Sequence, residues 1–336
     1  MSQTRPSRLD NIDTLRGVAS LAVCWFHLTN TYGQDSFARI SGQYGWLGVE
    51  AFFVLSGFII PYAMFNGGYT FTCGWKTFIS KRLLRIEPPY LLAILLVFIL
   101  WHGSFMMPSF KGSPPPDFLS VQTLAHVGYL TGIAGYPWLN PVFWTLAIEF
   151  QFYLLVSFVF YWLGNQNKYA VLFIDSALLA IALVLSSELF VFKYLGLFML
   201  GIAAFQFRAG LISRSLLVFL LVAATVVAGF ALGWLIAVVG LLTSIFIIFS
   251  VNLGRGKATL WLGSISYSLY LVHVPIGGRV VNLGRRWVDS QAGEVLLSLT
   301  GLFISLVTAY AFFLLVEKPF QNMAARIKYP RPLAYK

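Results

Sequence analysis

An arginine and a histidine lie eleven positions apart in the first apolar stretch of the chain, at Arg16 and His27. At about 100° per residue, this spacing puts both side chains on one face of a helix, about 16 Å apart along its axis. Ionisable groups inside membrane helices are costly and usually functional. The pair therefore predicts a cation near one membrane surface, aligned with a titratable base inside the bilayer. In the alternative, which stays open, Arg16 only anchors the helix and His27 only bonds to a neighbouring helix.

Other polar residues are expected near the depth of His27. The fourth predicted span runs inward from about residue 143 and places Glu149 roughly 9 Å below its outer end. The ninth places His273 in its outer half, and the second places Glu50 close to the outer surface. Two histidines and one or two carboxylates from different helices indicate a site. A buried polar network that only pins the helices together is the alternative.

A second cluster is basic and is expected at the cytoplasmic face. Arg82 and Arg85 lie at the mouth of the third predicted span, and Arg16 lies at the start of the first. Their i and i+3 spacing lets the guanidinium groups of Arg82 and Arg85 converge on one phosphate. Topogenic positive charge alone is the alternative. A proline-started helix mouth at residues 86–89 favours the binding site, because it sets the orientation of the arginines.

The elements that must position these residues are apolar helices. The chain has 336 residues, of which 58% are hydrophobic and only 10% charged, so the sequence predicts an all-α polytopic membrane protein. About ten transmembrane helices are predicted, at residues 12–30, 47–65, 86–102, 143–163, 169–186, 190–207, 214–229, 231–250, 259–276 and 295–316. A hairpin is expected in the region from Gly229 to Gly233, between the seventh and eighth, and Asp175 in the fifth is expected to have a structural partner in a neighbouring helix. Residues 1–336 are expected to form a single transmembrane domain. The net charge of +11 lies mostly in loops, which argues against a nucleic-acid partner.

The distribution of basic residues predicts that both termini are cytoplasmic. With that orientation, 17 of the 23 Lys and Arg residues lie inside and six lie outside. Arg279, Arg285 and Arg286 run against the rule. We expect them to attract an anionic acceptor, with pairing to Asp289 and Glu294, or contact with lipid headgroups, as the alternative. Residues 118–136, in a long outer connection, are predicted to form a re-entrant or interfacial segment. No metal-ligand spacing is present, and the two cysteines are not expected to form a disulfide.

Six segments, in this order along nearly the whole chain, resemble motifs of the acyltransferase 3 family of integral membrane acyltransferases. They are Arg16 with His27, residues 48–58, Arg82 with Arg85, residues 143–153, residues 264–273, and residues 317–319. Thr145 stands where serine is usual in the family and keeps the hydroxyl. Each match is weak by itself, and the specificity comes from their number and order.

The resemblance implies that residues 1–336 are a single transmembrane acyltransferase domain in the bacterial cytoplasmic (inner) membrane. Such a protein would transfer an acyl group, usually acetyl from cytoplasmic acetyl-CoA, to a hydroxyl of an extracytoplasmic or lipid-linked glycan such as O-antigen or exopolysaccharide. Acetyl-CoA would be a co-substrate, and no permanently bound cofactor or metal is expected. The other partner would be membrane lipid. The acceptor and the acylated position stay open.

Residue roles follow from the same resemblance. Arg16, Arg82 and Arg85 would bind the CoA phosphates, and His27 would be the general base for the acceptor hydroxyl. Glu149 would orient the His27 ring and stabilise its imidazolium form. Five further residues are candidate substrate contacts, with core packing as the alternative: Tyr153, Ser266, Tyr267, Tyr270 and His273. The main rival reading is a proton-coupled transporter or flippase for a sugar-lipid, in which His and Glu relay protons.

Overall fold

The computed structural model of the protein describes residues 10–107, 112–249 and 256–330. These residues form α-helices joined by short 3-10 and π segments, and no strand occurs among them. The helices are α1 Asp10–Thr29, α2 Phe37–Gly42, α3 Gly48–Asn66, α4 Phe71–Phe105, α5 Val121–Val127, α6 Phe143–Leu163, α7 Lys168–Val184, α8 Val191–Arg208, α9 Arg214–Leu232, α10 Trp234–Phe249, α11 Lys257–Val272, α12 Arg279–Gly284, α13 Gln291–Phe312 and α14 Lys318–Arg326. The predicted all-α class is confirmed for the described residues.

Each of the ten predicted spans overlaps one of these helices. Six segments are long and apolar enough to cross a membrane: Phe37–Asn66, Phe71–Phe105, Phe143–Leu163, Val191–Arg208, Arg214–Leu232 and Gln291–Arg326. The multi-pass character of the chain follows from these six. The number of about ten crossings stays a prediction. So does the cytoplasmic location of the termini, which lie outside the described residues.

The third predicted span is wrong at its start. It was expected to begin near residue 86 because Pro88 and Pro89 favour a helix start, but α4 is continuous from Phe71 and contains both prolines. Proline is tolerated inside membrane helices where neighbouring groups satisfy the freed backbone. Here the Tyr267 hydroxyl of α11 donates to the carbonyl oxygen of Ile86 at 2.9 Å, beside the prolines. The arginines of this region therefore lie within α4 and not at its mouth.

The segment before α3 also differs from the prediction. It packs along α1 through three glycines, Gly42, Gly45 and Gly48. A Cβ atom at Gly45 would lie 2.2 Å from the carbonyl oxygen of Ala22, and one at Gly48 2.4 Å from that of Ala19. These backbone contacts place the start of α3 beside the middle of α1. The expectation that Glu50, in the first turn of α3, lies close to the outer surface is therefore wrong.

Two local predictions are confirmed. The predicted hairpin within residues 229–233 lies between α9 and α10, where Gly233 has a φ of +102° that favours glycine. Asp175 of α7 has the expected partner in a neighbouring helix, since Gln206 Nε2 of α8 donates to Asp175 Oδ1 at 3.1 Å. Residues 118–136 contain a short helix, α5, followed by turns. Their re-entrant or interfacial position stays a prediction.

The helices form two hydrophobic cores. One is built mainly from α3, α6, α7, α8, α9 and α10, and the other from α1, α4, α11 and α13 with the start of α6. In the first core, α3 and α8 cross closely, because Gly201 of α8 lies so near α3 that a Cβ atom there would be 2.0 Å from the Val54 carbonyl oxygen. Helix α6 contributes to both cores and therefore lies at their boundary.

Candidate functional site

A cavity lies between the two cores. Its volume is about 920 Å³, including space open to the outside, and it is lined by α1, α3, α4, α6, α11 and the π segment Phe313–Glu317. Eight of the residues that the sequence marked as site candidates line it: Arg16, Arg82, Arg85, Glu149, Tyr153, Ser266, Tyr267 and Tyr270. His27 and His273 are not among the lining residues.

Three arginines give one part of the cavity its charge. Arg82 and Arg85 lie one turn apart on α4, and Arg16 comes from α1. The guanidinium carbon of Arg82 lies 5.4 Å from the centre of the Phe78 ring and 5.6 Å from that of Tyr153. Cation–π contacts of this kind fix the plane of a guanidinium group. The arrangement is suited to binding an anion with several oxygens, such as a phosphate.

Glu149 lies with the arginines. One carboxylate oxygen accepts hydrogen bonds from the Tyr153 hydroxyl at 2.7 Å and from Ser56 Oγ at 3.0 Å. The carboxylate also lies within electrostatic reach of Arg16 and Arg82. The predicted pairing of Glu149 with His27 therefore needs correction, because the side chain is already bonded at the arginine cluster. Sequence alone could not reveal this, since it gives depth along a helix but not the direction a side chain takes.

The two histidines lie beyond Tyr270. The hydroxyl groups of Tyr270 and Thr145 share a hydrogen bond of 2.7 Å at the cavity wall. From there the Tyr270 ring centre is 6.0 Å from that of His273, which is 5.3 Å from that of His27. Tyr270 thus joins the cavity to a pair of imidazoles from two different helices, as expected for His27 and His273.

The surroundings of the two imidazoles differ. His27 is partly exposed, and its ring lies against those of Phe26 and His273. His273 is fully buried where α11 passes into the π segment Val274–Gly278, and its Nε2 atom has no hydrogen-bond partner. π segments inside helices are frequent at functional sites. Of the two imidazoles, His27 is therefore the one with some exposed surface, and His273 lies behind it.

Two other predicted contacts have hydroxyl groups engaged by the protein itself. Ser266 Oγ donates to the Gly263 carbonyl oxygen of its own helix at 2.9 Å, and the Tyr267 hydroxyl donates to Ile86 of α4. Both side chains line the cavity, but both hydroxyl groups donate to backbone carbonyl oxygens of the protein. Packing, the alternative reading of these residues, accounts for their hydrogen bonds.

Two polar residues of the cavity were not singled out from the sequence, Ser56 and Glu317. Glu317 is 1% exposed and accepts from both the backbone nitrogen and Oγ of Ser268, at 3.1 and 2.5 Å. Both lie inside motif segments, which was the only available signal. Among the described residues, no three His, Cys, Asp or Glu side chains are placed to hold a metal ion.

Two of the three arginines that follow α11 donate hydrogen bonds to hydroxyl groups. Arg279 donates to Ser104 and Arg285 donates to Thr31, each in another part of the fold. Glu294, an expected partner, instead accepts from Ser36 Oγ at 2.5 Å. These contacts tie the loop before α13 to its neighbours.

Fold and site together define a class: a multi-pass helical membrane protein with a polar cavity that holds three arginines inside its helix bundle. A family model described as an acyltransferase domain matches residues 9–316, so the chain belongs to the acyltransferase 3 family. The expected resemblance is thereby confirmed over nearly the whole chain.

Three curated relatives show the range of similarity. Protein 2 in the picA locus of Rhizobium radiobacter is 34% identical over 29% of this chain and 48% of its own length. The putative acetyltransferase ORF330 of Acidianus two-tailed virus is 28% identical over 53% and 46%. The O-acetyltransferase OatA of Staphylococcus aureus (strain NCTC 8325 / PS 47) is 28% identical over 48% and 26%. The chain thus matches less than half the length of each of these relatives. No solved structure matches it.

Proposed function

We propose that the protein is a membrane O-acetyltransferase that moves an acetyl group from acetyl-CoA to a hydroxyl of an extracytoplasmic or lipid-linked glycan such as O-antigen or exopolysaccharide. The single observation that carries the proposal is a chain of ring contacts: Tyr270, in the wall of the three-arginine cavity, lies against His273, and His273 lies against His27. The proposed setting is the bacterial cytoplasmic membrane, with the arginine end facing the cytoplasm. Family membership and the relatives named acetyltransferase support the choice of chemistry.

At the donor end, Arg16, Arg82 and Arg85 hold the CoA phosphates. The pantetheine arm is long and uncharged, and the remaining cavity wall offers its methyl and methylene groups apolar side chains such as Phe52, Ile59 and Leu146. Glu149 acts here by orienting the arginine cluster, through Tyr153 and Ser56, and not by orienting His27. This placement would leave the thioester pointing toward Tyr270.

At the acceptor end, His27 is the general base. It takes the proton of the acceptor hydroxyl while the oxygen attacks the thioester carbon, the carbon–sulfur bond breaks, and CoA leaves as a thiolate that is then protonated. Tyr270 and Thr145 share a hydroxyl pair near this point and are proposed to donate to the developing oxyanion. His273, behind His27, stabilises the charged imidazole by contact with a neutral ring.

The test compares the envelope polysaccharide of cells with and without the protein by mass spectrometry. We expect O-acetyl groups to be lost without it and restored by the wild-type gene. In parallel, the purified full-length protein in detergent should bind acetyl-CoA. Unchanged acetylation of every envelope glycan, together with no acetyl-CoA binding, would overturn the proposal. Neither a transporter nor a flippase for a sugar-lipid is expected to bind acetyl-CoA.

A further inference from the structure

A second cavity, of about 710 Å³ including space open to the outside, lies at the starts of α6 and α8, against the segment that follows α5. Its walls carry four aromatic rings and two polar side chains: Tyr129, Trp138, Trp144 and Tyr194, with Gln151 and Glu188. We propose that this cavity binds an uncharged sugar residue of the acceptor glycan. The inference rests on the proposed function only in taking the acceptor to be a glycan.

The aromatic rings are fixed before any ligand arrives. Tyr129 stacks between Tyr90 and Phe150, with ring centres 4.9 and 5.0 Å away and interplanar angles of 14° and 20°, so both of its faces are covered and its ring supports the wall of the cavity. Tyr129 has a φ of +58°, and it is the non-glycine residue with a positive φ in the described part of the chain. Backbone strain of this kind is found at binding sites. Trp144 lies 5.5 Å from Tyr194. Sugar rings have apolar C–H faces, which pack on rigid aromatic rings at little cost in conformational entropy.

The polar side chains divide between support and binding. Gln151 accepts from the Val191 backbone nitrogen and donates to the Leu189 carbonyl oxygen, both at 2.9 Å, so its amide holds the wall in place. Glu188 is exposed at the rim, 2.6 Å from Lys193 Nζ. The hydrogen bond and charge of Lys193 lower the pKa of Glu188, so its carboxylate is ionised at neutral pH. Its remaining acceptor positions suit sugar hydroxyls, and its pairing with Lys193 leaves this rim without a net charge, which suits an uncharged sugar.

A glycine leaves room for the ligand between the two outer segments. A Cβ atom at Gly132 would lie 3.2 Å from Leu189 Cδ2 and 3.4 Å from Trp138 Cζ2. Beside this opening, the hydroxyl of Thr131 is buried without a hydrogen-bond partner. A larger residue at position 132 would narrow the cavity without disturbing the helical core.

Helix α6 lies between this cavity and the proposed donor cavity and contributes side chains to both. Thr145 and Glu149 line the donor side, whereas their chain neighbours Trp144 and Ile148 line the second cavity. The two spaces are therefore separated by one helix, whose diameter with side chains is about 10 Å. A sugar held against Trp144 would keep the adjoining units of the same glycan close to the reacting centre. The cavity thus positions the acceptor, while the chemistry takes place elsewhere.

The test measures sugar binding separately from acetyl transfer. The probe is a set of water-soluble, de-O-acetylated fragments of envelope polysaccharide from cells lacking the protein. Binding to the purified full-length protein in detergent is followed by saturation-transfer NMR with irradiation of aromatic protons. We expect wild type and the control Trp287→Ala, whose ring is exposed on another loop, to bind alike. Trp138→Ala should bind about tenfold more weakly, which corresponds to about 1.4 kcal/mol of lost ring contact.

Acetyl-CoA affinity serves as the folding control and should be equal in all variants. If the Trp138→Ala protein no longer binds acetyl-CoA, sugar binding by Gly132→Val is used instead, because the added side chain fills the same opening. Absent binding by wild type, or equal binding by wild type and both cavity variants, would overturn the inference, as would binding of anionic fragments alone. Sugar binding without acetyl transfer would count against the proposed function and leave this site standing.

Discussion

At the scale of single residues, His27 and His273 have different surroundings, because His27 is partly exposed and His273 is buried. We therefore test the proposed base at His27. His27→Gln removes the proposed base but keeps a polar side chain of similar length. We expect acetyl transfer to fall by about 10²-fold or more, with acetyl-CoA affinity unchanged, because general bases contribute roughly 10²–10⁴-fold. The matched control is His102→Gln, since His102 is exposed and bonds to the Phe98 carbonyl of its own helix at 2.9 Å. Transfer at wild-type rate by a well-expressed His27→Gln protein would refute the role.

The arginine cluster gives a second prediction at this scale. Arg85→Lys keeps the charge but loses the planar fork that can hold a phosphate through two hydrogen bonds. We expect about tenfold weaker binding of acetyl-CoA, because a hydrogen bond to a charged group contributes about 1.5–3 kcal/mol. Arg326→Lys, at an exposed position of α14, is the control. Equal affinities for both variants in a titration by calorimetry would remove Arg85 from the donor site.

The sequence predicted which residues face the cavity better than it predicted their partners. Arg16 lies in the cavity wall, as do the arginines of α4, whose i and i+3 positions put them on one face, whereas His27 does not line the cavity. Glu149 was assigned to the wrong partner, because the bonds to Ser56 and Tyr153 depend on how three helices pack. Contacts between helices are set by side-chain direction and crossing geometry, which spacing along one helix does not contain.

At the scale of helices, glycines decide how closely the elements approach. Gly201→Ala would place a Cβ atom 2.0 Å from the Val54 carbonyl oxygen, so α8 and α3 must separate. We expect the variant to be destabilised by about 1–3 kcal/mol, as for other overpacked cores. Gly103→Ala is the control, because no other atom lies within 4 Å of the added carbon. Thermal unfolding in detergent measures both, and equal melting temperatures would show that the α3–α8 crossing is not close.

Helix limits were predictable where a residue forces a turn. Gly233 ends α9 and separates it from α10, as its positive φ requires. Pro88 and Pro89 led to a wrong predicted helix start, because α4 continues through both prolines and Tyr267 bonds to the carbonyl oxygen of Ile86 beside them. The packing of Gly42, Gly45 and Gly48 on α1 was not predictable either, because hydropathy indicates burial but not which surface a small residue contacts. This packing places the start of α3, and with it Glu50, beside the middle of α1.

At the scale of the whole molecule, the three-arginine cavity and the cavity proposed to bind a sugar lie on two sides of α6, which contributes to both hydrophobic cores. A membrane protein that brings a cytoplasmic donor to an external acceptor needs such a shared element, because each substrate must enter from its own side. The cavity arrangement thus depends on the orientation of the chain in the membrane. That orientation rests on the asymmetry of basic residues, and it can be measured directly.

The last prediction concerns that orientation. An Arg286→Cys change introduces a thiol at an exposed position in the loop before α13, and it leaves the contact between Arg285 and Thr31 intact. We expect a membrane-impermeant maleimide to label this thiol in intact cells. The two natural cysteines provide the controls: Cys24 is buried and should not react, and Cys73, predicted to be cytoplasmic, should react only after permeabilisation. If the Arg286→Cys thiol also requires permeabilisation, the loop is cytoplasmic, and the predicted count of ten spans and the external position of these arginines are both wrong.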